Sequence, residues 1–273
     1  MSETPLTVAA VQLSSQDDVD KNMARVRALV TDARRAGAQI VTLPENFALM
    51  GEEEDKRAIA EPLDGALGPI GRALSALAAE LEVAIIAGGF PERTGDPRRP
   101  YNTSVLFDRT GALASRYRKI HLFDVDVPGG QTYRESHSTT EGEEPVVARV
   151  AGVDVGMTVC YDVRFPELYR RLAQLGARVV TVPAAFTLMT GKDHWSVLLR
   201  ARAIENQVFV VAAAQTGKHP KGRQTYGKSM IVDPWGDVLA QCGEGEGFCV
   251  ARLDLAYQDR VRAALPCLTH RRL

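Results

Sequence analysis

Three residues carry the chemistry most directly legible in the chain. Cys160 follows an apolar stretch, residues 153–159, and precedes Tyr161-Asp162-Val163-Arg164-Phe165-Pro166, where a helix can begin. A thiol in a tight strand-to-helix turn presents its side chain outward, with backbone N–H groups nearby to hold an oxyanion. Position alone leaves a second reading open, a buried structural thiol, which is the commoner fate of a lone cysteine. An unperturbed thiol, with a pKa of about 8.5, needs activation: a carboxylate to take its proton or a cation to stabilise its thiolate. Glu45 and Lys119 can supply these, because each ends an apolar stretch. Where strands run side by side in one direction their C-terminal ends gather on one edge, so the three can meet although far apart in sequence. Taken singly, Glu45 and Lys119 are also readable as solvated charges at loop starts. His121 and His194 are the alternative partners, for a Cys/His dyad, but neither stands in a local signature of that chemistry.

The elements that must position these residues follow from periodicity. Residues 6–13 form a short apolar run that reads as a buried strand. Met23, Val26, Leu29, Val30 and Ala33 then recur at helical steps, with Gly37 placed to end the helix. Residues 40–43 read as a strand, Pro69 can open a helix with Ile70, Leu74, Leu77 and Leu81 on one face, and residues 83–90 read as a strand. This β-α-β-α-β order indicates a layered α/β fold. Residues 103–107 and 113–117 flank a turn and read as a hairpin that delivers Lys119. Residues 123–145 show no period and read as one long, functional loop. A second hairpin, 146–150 with 153–159, leads into Cys160; a helix runs from Pro166 to Leu175 and a strand covers 179–182. A helix over 195–204, one strand over 208–214, a pair 229–232 with 238–240, a strand over 248–253 and a helix over 256–265 complete the chain. The expected organisation is a single catalytic domain over residues 3–255, then a C-terminal helix and tail over 256–273.

Composition excludes several classes. The 273 residues are 45% hydrophobic and 25% charged with a net charge of −1, which favours neither a nucleic-acid surface nor an anionic membrane. No apolar run reaches the length of a membrane span, and no secretory signal precedes the first strand. Cys160, Cys242, Cys249 and Cys267 show no paired spacing, and the five histidines form no zinc motif. A cytoplasmic protein without metal or organic cofactor is the expectation. A dinucleotide-binding protein is disfavoured, because no GxGxxG follows the first strand and Gly243-Glu244-Gly245-Glu246-Gly247 lies late, as a turn.

Over essentially its whole length the sequence resembles the nitrilase (carbon–nitrogen hydrolase) superfamily. The matching pieces are Leu43-Pro44-Glu45-Asn46, Arg118-Lys119-Ile120-His121-Leu122-Phe123, and the run from Gly156 through Cys160 to Leu168. The resemblance implies a cysteine nucleophile at Cys160 that forms a thioester, a general base at Glu45, and Lys119 stabilising the tetrahedral intermediate together with the backbone N–H of Tyr161. It also implies a supporting glutamate. Glu135 fits that place, with Glu141, Glu143 and Glu144 in the same loop. The implied fold is α/β, a four-layer αββα sandwich of two mixed sheets flanked by helices, commonly a homodimer.

Within the superfamily the resemblance is to the Nit branch, through residues 123–129, Ala185-Phe186, Thr190-Gly191, His194-Trp195 and the run 200–207. The implied substrate is a small amide of a keto acid. One type of Nit amidase converts deaminated glutathione to 2-oxoglutarate and cysteinylglycine, a metabolite-repair step; the other is an ω-amidase on 2-oxoglutaramate and 2-oxosuccinamate. Residues 212–219 and 226–236 resemble the first type more. An N-carbamoyl hydrolase and a non-catalytic scaffold are the remaining alternatives. A keto-acid carboxylate calls for a cation, and Arg164 is the candidate; its other reading is a helix-start salt bridge with Glu167. Phe186 and Thr190 are expected to line the pocket, and Arg200 and Arg202 to be structural or interfacial.

Overall fold

The computed structural model describes residues 6–126 and 132–272. Val127-Pro128-Gly129 of the Nit-like segment, and the expected domain start at residue 3, lie outside them. The first half runs β1 (Leu6–Leu13), α1 (Val19–Arg35), β2 (Ile40–Leu43), α2 (Glu53–Ala58), α3 (Pro69–Leu81), β3 (Ala84–Glu92), β4 (Tyr101–Phe107) and β5 (Leu113–Arg118). A small hairpin, β6 (Asp124–Asp126) and β7 (Thr132–Arg134), precedes β8 (Val146–Val150), β9 (Val153–Met157), α4 (Pro166–Gln174) and β10 (Val179–Thr181). The chain continues through α5 (Leu188–Asn206), β11 (Phe209–Ala212), β12 (Ala214–Lys218), β13 (Gln224–Tyr226), β14 (Met230–Val232), β15 (Val238–Gln241), β16 (Gly247–Leu253) and α6 (Leu255–Ala264).

The strands form two large mixed sheets. One has the order β13-β12-β1-β2-β3-β4-β5, with β16 also paired to β1; the other has the order β15-β14-β11-β10-β9-β8. The alternation along β1 shows how they stack. Val8 and Ala10 join a core with Val155, Met157, Val179 and Val210 of the second sheet. Ala9, Val11 and Leu13 join a separate core with Val26 and Val30 of α1 and Leu74 and Leu77 of α3. Successive side chains of a strand point to opposite faces, so β1 is buried on both and reads as a continuous apolar run. Helices α4 and α5 pack on the second sheet. The result is the expected four-layer αββα sandwich. Local chemistry sets the helix ends: Asp18 accepts the Lys21 N–H at 3.0 Å at the start of α1, and Gly37 follows it with φ +95°.

Three expectations are corrected and one helix is added. The single strand expected over 208–214 is two strands in different sheets, since β11 pairs with β10 and β14 while β12 pairs with β1. The chain crosses between sheets at Ala213, and because both strands are buried the apolar run hides the break. The long loop over 123–145 contains β6, β7 and a 3-10 turn, Glu135–His137. Helix α5 begins at Leu188, one to two turns before the apolar period does, because Leu188, Met189, Lys192, Asp193 and His194 face outward. The short helix α2 has no buried residue and so carries no apolar period at all. Among the described residues no helix is long and apolar enough to cross a membrane.

Candidate active site

Glu45 stands two residues beyond β2, Lys119 one beyond β5 and Cys160 three beyond β9, so the expected strand ends do converge. The Lys119 ammonium is 3.2 Å from Glu45 Oε1 and 2.8 Å from Glu135 Oε2. The Asn102 amide on β4 donates to Glu45 Oε1 at 2.9 Å and to Glu135 Oε1 at 3.1 Å, closing a ring of four polar groups in which Glu45 and Lys119 are buried and Asn102 and Glu135 partly so. The Phe123 N–H donates to Glu135 Oε2 at 2.7 Å, and the Ala185 N–H to Glu45 Oε2 at 3.1 Å. Of the four glutamates in the 123–145 segment, Glu135 is the one that meets Lys119. Close approach is built into the backbone here. Gly89 has φ +53°, and a Cβ on it would lie 2.7 Å from Glu45 Cγ and 2.5 Å from Asn102 Oδ1.

The nucleophile's turn is just as constrained. Cys160 has φ +48°, in the left-handed region that a residue bearing Cβ adopts at a cost. Its N–H donates to the Pro183 carbonyl at 2.7 Å, and a 3-10 turn, Cys160–Arg164, follows in place of an immediate α-helix. Asp162 holds this turn. Its Oδ2 accepts the Val159 N–H and the Tyr117 hydroxyl, each at 2.8 Å, and its Oδ1 lies 2.7 Å from His121 Nδ1. His121 also stacks on Phe165, ring centroids 3.7 Å apart. His121 therefore supports the turn rather than forming a Cys/His dyad. His194 is exposed on α5, with Nδ1 3.3 Å from Arg164 Nη1.

Burial and charge set the resting protonation. Burial drives the Cys160 thiol well above its ordinary pKa, and the adjacent Glu45 carboxylate adds to this against the pull of Lys119. Burial would also raise Glu45, but Lys119 and hydrogen bonds from the Cys160 thiol and Asn102 hold it below its ordinary value. Burial disfavours the Lys119 cation, yet Glu135 and Glu45 outweigh it and keep the ammonium charged. The site rests as thiol, carboxylate and ammonium. That arrangement can attack an electrophilic carbon only as the proton moves to Glu45.

The four groups open onto a cavity of about 260 Å³ that Cys160, Tyr161, Arg164, Phe186 and Thr190 also line. Arg164 forms no salt bridge with Glu167 among the described residues; its guanidinium lies 5.1 Å from the Phe186 ring and 5.9 Å from the Tyr161 ring. Arg200 and Arg202 are structural, donating to the Gly236 carbonyl at 2.7 Å and the Val163 carbonyl at 2.8 Å. Sequence reasoning missed Asn102, Asp162, Tyr117 and Arg223. Only Asp162, inside a motif already singled out, offered a signal. Among the described residues no cluster of three or more His, Cys, Asp or Glu is placed to hold a metal ion.

The family model for carbon–nitrogen hydrolases matches residues 7–263. The chain belongs to the carbon–nitrogen hydrolase family. This hydrolase is 45% identical over 270 residues to a deaminated glutathione amidase of Synechocystis, covering 98% of each chain. It is 46% identical to the deaminated glutathione amidase of Homo sapiens, covering 99% of this chain and 83% of that one. Among solved structures, the NitFhit protein of C. elegans superposes with a TM-score of 0.92 at 38% identity, over 100% of this chain and 66% of that chain. Saccharomyces cerevisiae Nit3, of branch 10 of the nitrilase superfamily, gives 0.88 at 32% identity, over 96% and 94%.

The protonation pattern predicts the pH profile of the hydrolase. A carboxylate held low stays ionised until the pH falls through its depressed pKa. The acid limb of kcat/KM should therefore centre below the ordinary glutamate value of about 4.3, measured where circular dichroism shows the fold intact. An acid limb near pH 6 would contradict the assigned state of Glu45.

Proposed function

We propose that the protein hydrolyses deaminated glutathione to 2-oxoglutarate and cysteinylglycine through a thioester on Cys160. The observation that carries the chemistry is the Glu45–Lys119–Cys160 cluster lining one cavity, with the base bonded to the cation at 3.2 Å. The substrate rests on the near full-length likeness to amidases of that name.

Cys160 Sγ attacks the side-chain amide carbon as its proton passes to Glu45. The oxyanion is held by the Lys119 ammonium and the Tyr161 N–H, donors fixed before the charge appears. Glu45 returns the proton to the amide nitrogen, the C–N bond breaks and cysteinylglycine leaves as a neutral amine. Water then gives its proton to Glu45 and attacks the thioester; the C–S bond breaks, the thiol is re-formed and 2-oxoglutarate departs. Glu135 takes no proton in this scheme. With Asn102 it orients the Lys119 ammonium. Arg164 binds the carboxylate of the keto-acid part, Phe186 and Thr190 shaping the pocket around it.

The expected homodimer finds support in Val197 and Ile204, which expose 66% and 46% of their surface on α5, and in Trp235, which exposes 55% nearby. Arg200 on α5 donates to the Gly236 carbonyl beside that tryptophan, so the three lie on one side of the molecule.

Four outcomes are expected. Cys160→Ala should lower turnover of deaminated glutathione by more than about a thousandfold, as removal of a nucleophile does, with an unchanged circular dichroism spectrum; retained activity would sink the mechanism. Assayed beside it, 2-oxoglutaramate should be the poorer substrate. Arg164→Ala should raise KM for keto-acid amides roughly 10- to 100-fold, the worth of a charge-assisted hydrogen bond, and affect a neutral amide far less; equal effects remove Arg164 from this role. Sedimentation should give twice the chain mass, and Val197→Glu should reduce it to one; a wild-type monomer at micromolar concentration overturns the dimer.

A further inference from the structure

Five cationic side chains line the cavity: Lys56, Lys119, Arg134, Arg164 and Arg223. Three are neutralised by the protein itself. Lys119 sits between Glu45 and Glu135, Lys56 is 2.8 Å from Glu53, and Arg134 is 2.9 Å from Asp126. Arg164 and Arg223 are left without a carboxylate in ion-pair reach among the described residues. Arg223 Nε is moreover buried with no hydrogen-bond partner among them. Such a donor on a guanidinium costs free energy until a ligand arrives, and a guanidinium is suited to a carboxylate held bidentately. Arg57, Arg99 and Arg170 also bury an unmatched nitrogen, but none borders the cavity.

Arg223 lies 5.7 Å from the Tyr133 ring; Tyr133 packs on Phe123 at 5.1 Å, Phe123 on Tyr161 at 5.0 Å, and Tyr161 meets Arg164. A run of three rings thus links the two guanidiniums along the cavity wall. The Arg223 segment is pinned to the site. Tyr226 donates its N–H to the Phe186 carbonyl at 3.0 Å, and the Arg223 carbonyl accepts the His219 N–H at 2.8 Å. The buried His219 ring spans Ser15 and Thr225, at 2.8 and 2.7 Å.

We infer that Arg223 selects the leaving group, binding the terminal carboxylate of the departing dipeptide while Arg164 faces the acyl side. The inference rests on the reading of deaminated glutathione as substrate. That molecule carries an anion on each side of the scissile amide, one on the 2-oxo acid and one on the terminal glycine. A simple ω-amide of a keto acid carries only the first. Two guanidiniums without an ion-pair partner among the described residues, both lining one cavity, match the dianionic substrate, and Arg223 is the one that a simple ω-amide leaves without a partner.

The test compares deaminated glutathione with its glycinamide counterpart, in which only the terminal carboxylate is replaced by carboxamide. Wild-type enzyme should favour the acid roughly 10- to 100-fold in kcat/KM, mainly through KM. Arg223→Gln should bring that ratio close to one, and Arg223→Lys should keep part of it. Equal kcat/KM for the two substrates in the wild type overturns the assignment, whether or not a variant folds. So does a ratio that survives in Arg223→Gln. If the wild type turns over neither substrate, the deaminated glutathione reading itself fails and this inference with it; turnover of both without preference removes Arg223 alone.

Discussion

A buried ammonium group governs the architecture of this protein. Lys119 is 2% exposed, and an ion so removed from water costs several kcal/mol unless opposite charge and hydrogen bonds surround it. Glu45 and Glu135 supply the charge and Asn102 ties the two carboxylates together. These four groups come from after β2, after β5, from the turn beyond β7 and from β4, so β2, β4 and β5 must all be in place before all four are satisfied. The two-carboxylate cage has a chemical result. In the proposed mechanism one glutamate orients the cation and the other exchanges a proton with the thiol.

The second sheet contributes the thiol, under a different constraint. Cys160 occupies a left-handed conformation that its own side chain disfavours, and Asp162 makes it tenable by gathering the Val159 N–H, the Tyr117 hydroxyl and His121. Tyr117 belongs to β5, so the same aspartate that shapes the nucleophile's turn reaches across to the strand that delivers Lys119. The segment after β10 does the converse: Pro183 accepts from the Cys160 N–H, and Ala185 donates to Glu45. Nucleophile and base are thereby fixed relative to each other by backbone groups as well as by side chains.

Most of the strands and their order were legible in the sequence, because burial imposes a period that residue types betray. Cys160, Glu45 and Lys119 were candidates because each ends such a run, and the resemblance assigned their roles. Glu135 was reached only through resemblance, which favoured it over Glu141, Glu143 and Glu144, and it is the one of the four found in contact with Lys119. Asn102, Tyr117 and Arg223 were not legible at all. Their roles are pairwise meetings across tens of residues, and a polar side chain that meets a distant partner leaves no period along its own segment. The crossing at Ala213 was hidden for the opposite reason, since burial continues unbroken while the pairing partner changes.

That crossing has a bearing on how the site is divided along the chain. Base and cation are encoded before residue 120 and belong to one sheet, whereas the nucleophile is encoded later and belongs to the other. The chain passes from the first sheet to the second after β5, and residues 212–214 bring it back from β11 to β12. A carboxylate stands beside this cysteine only where the two sheets are packed together, so neither half of the chain holds the pairing alone.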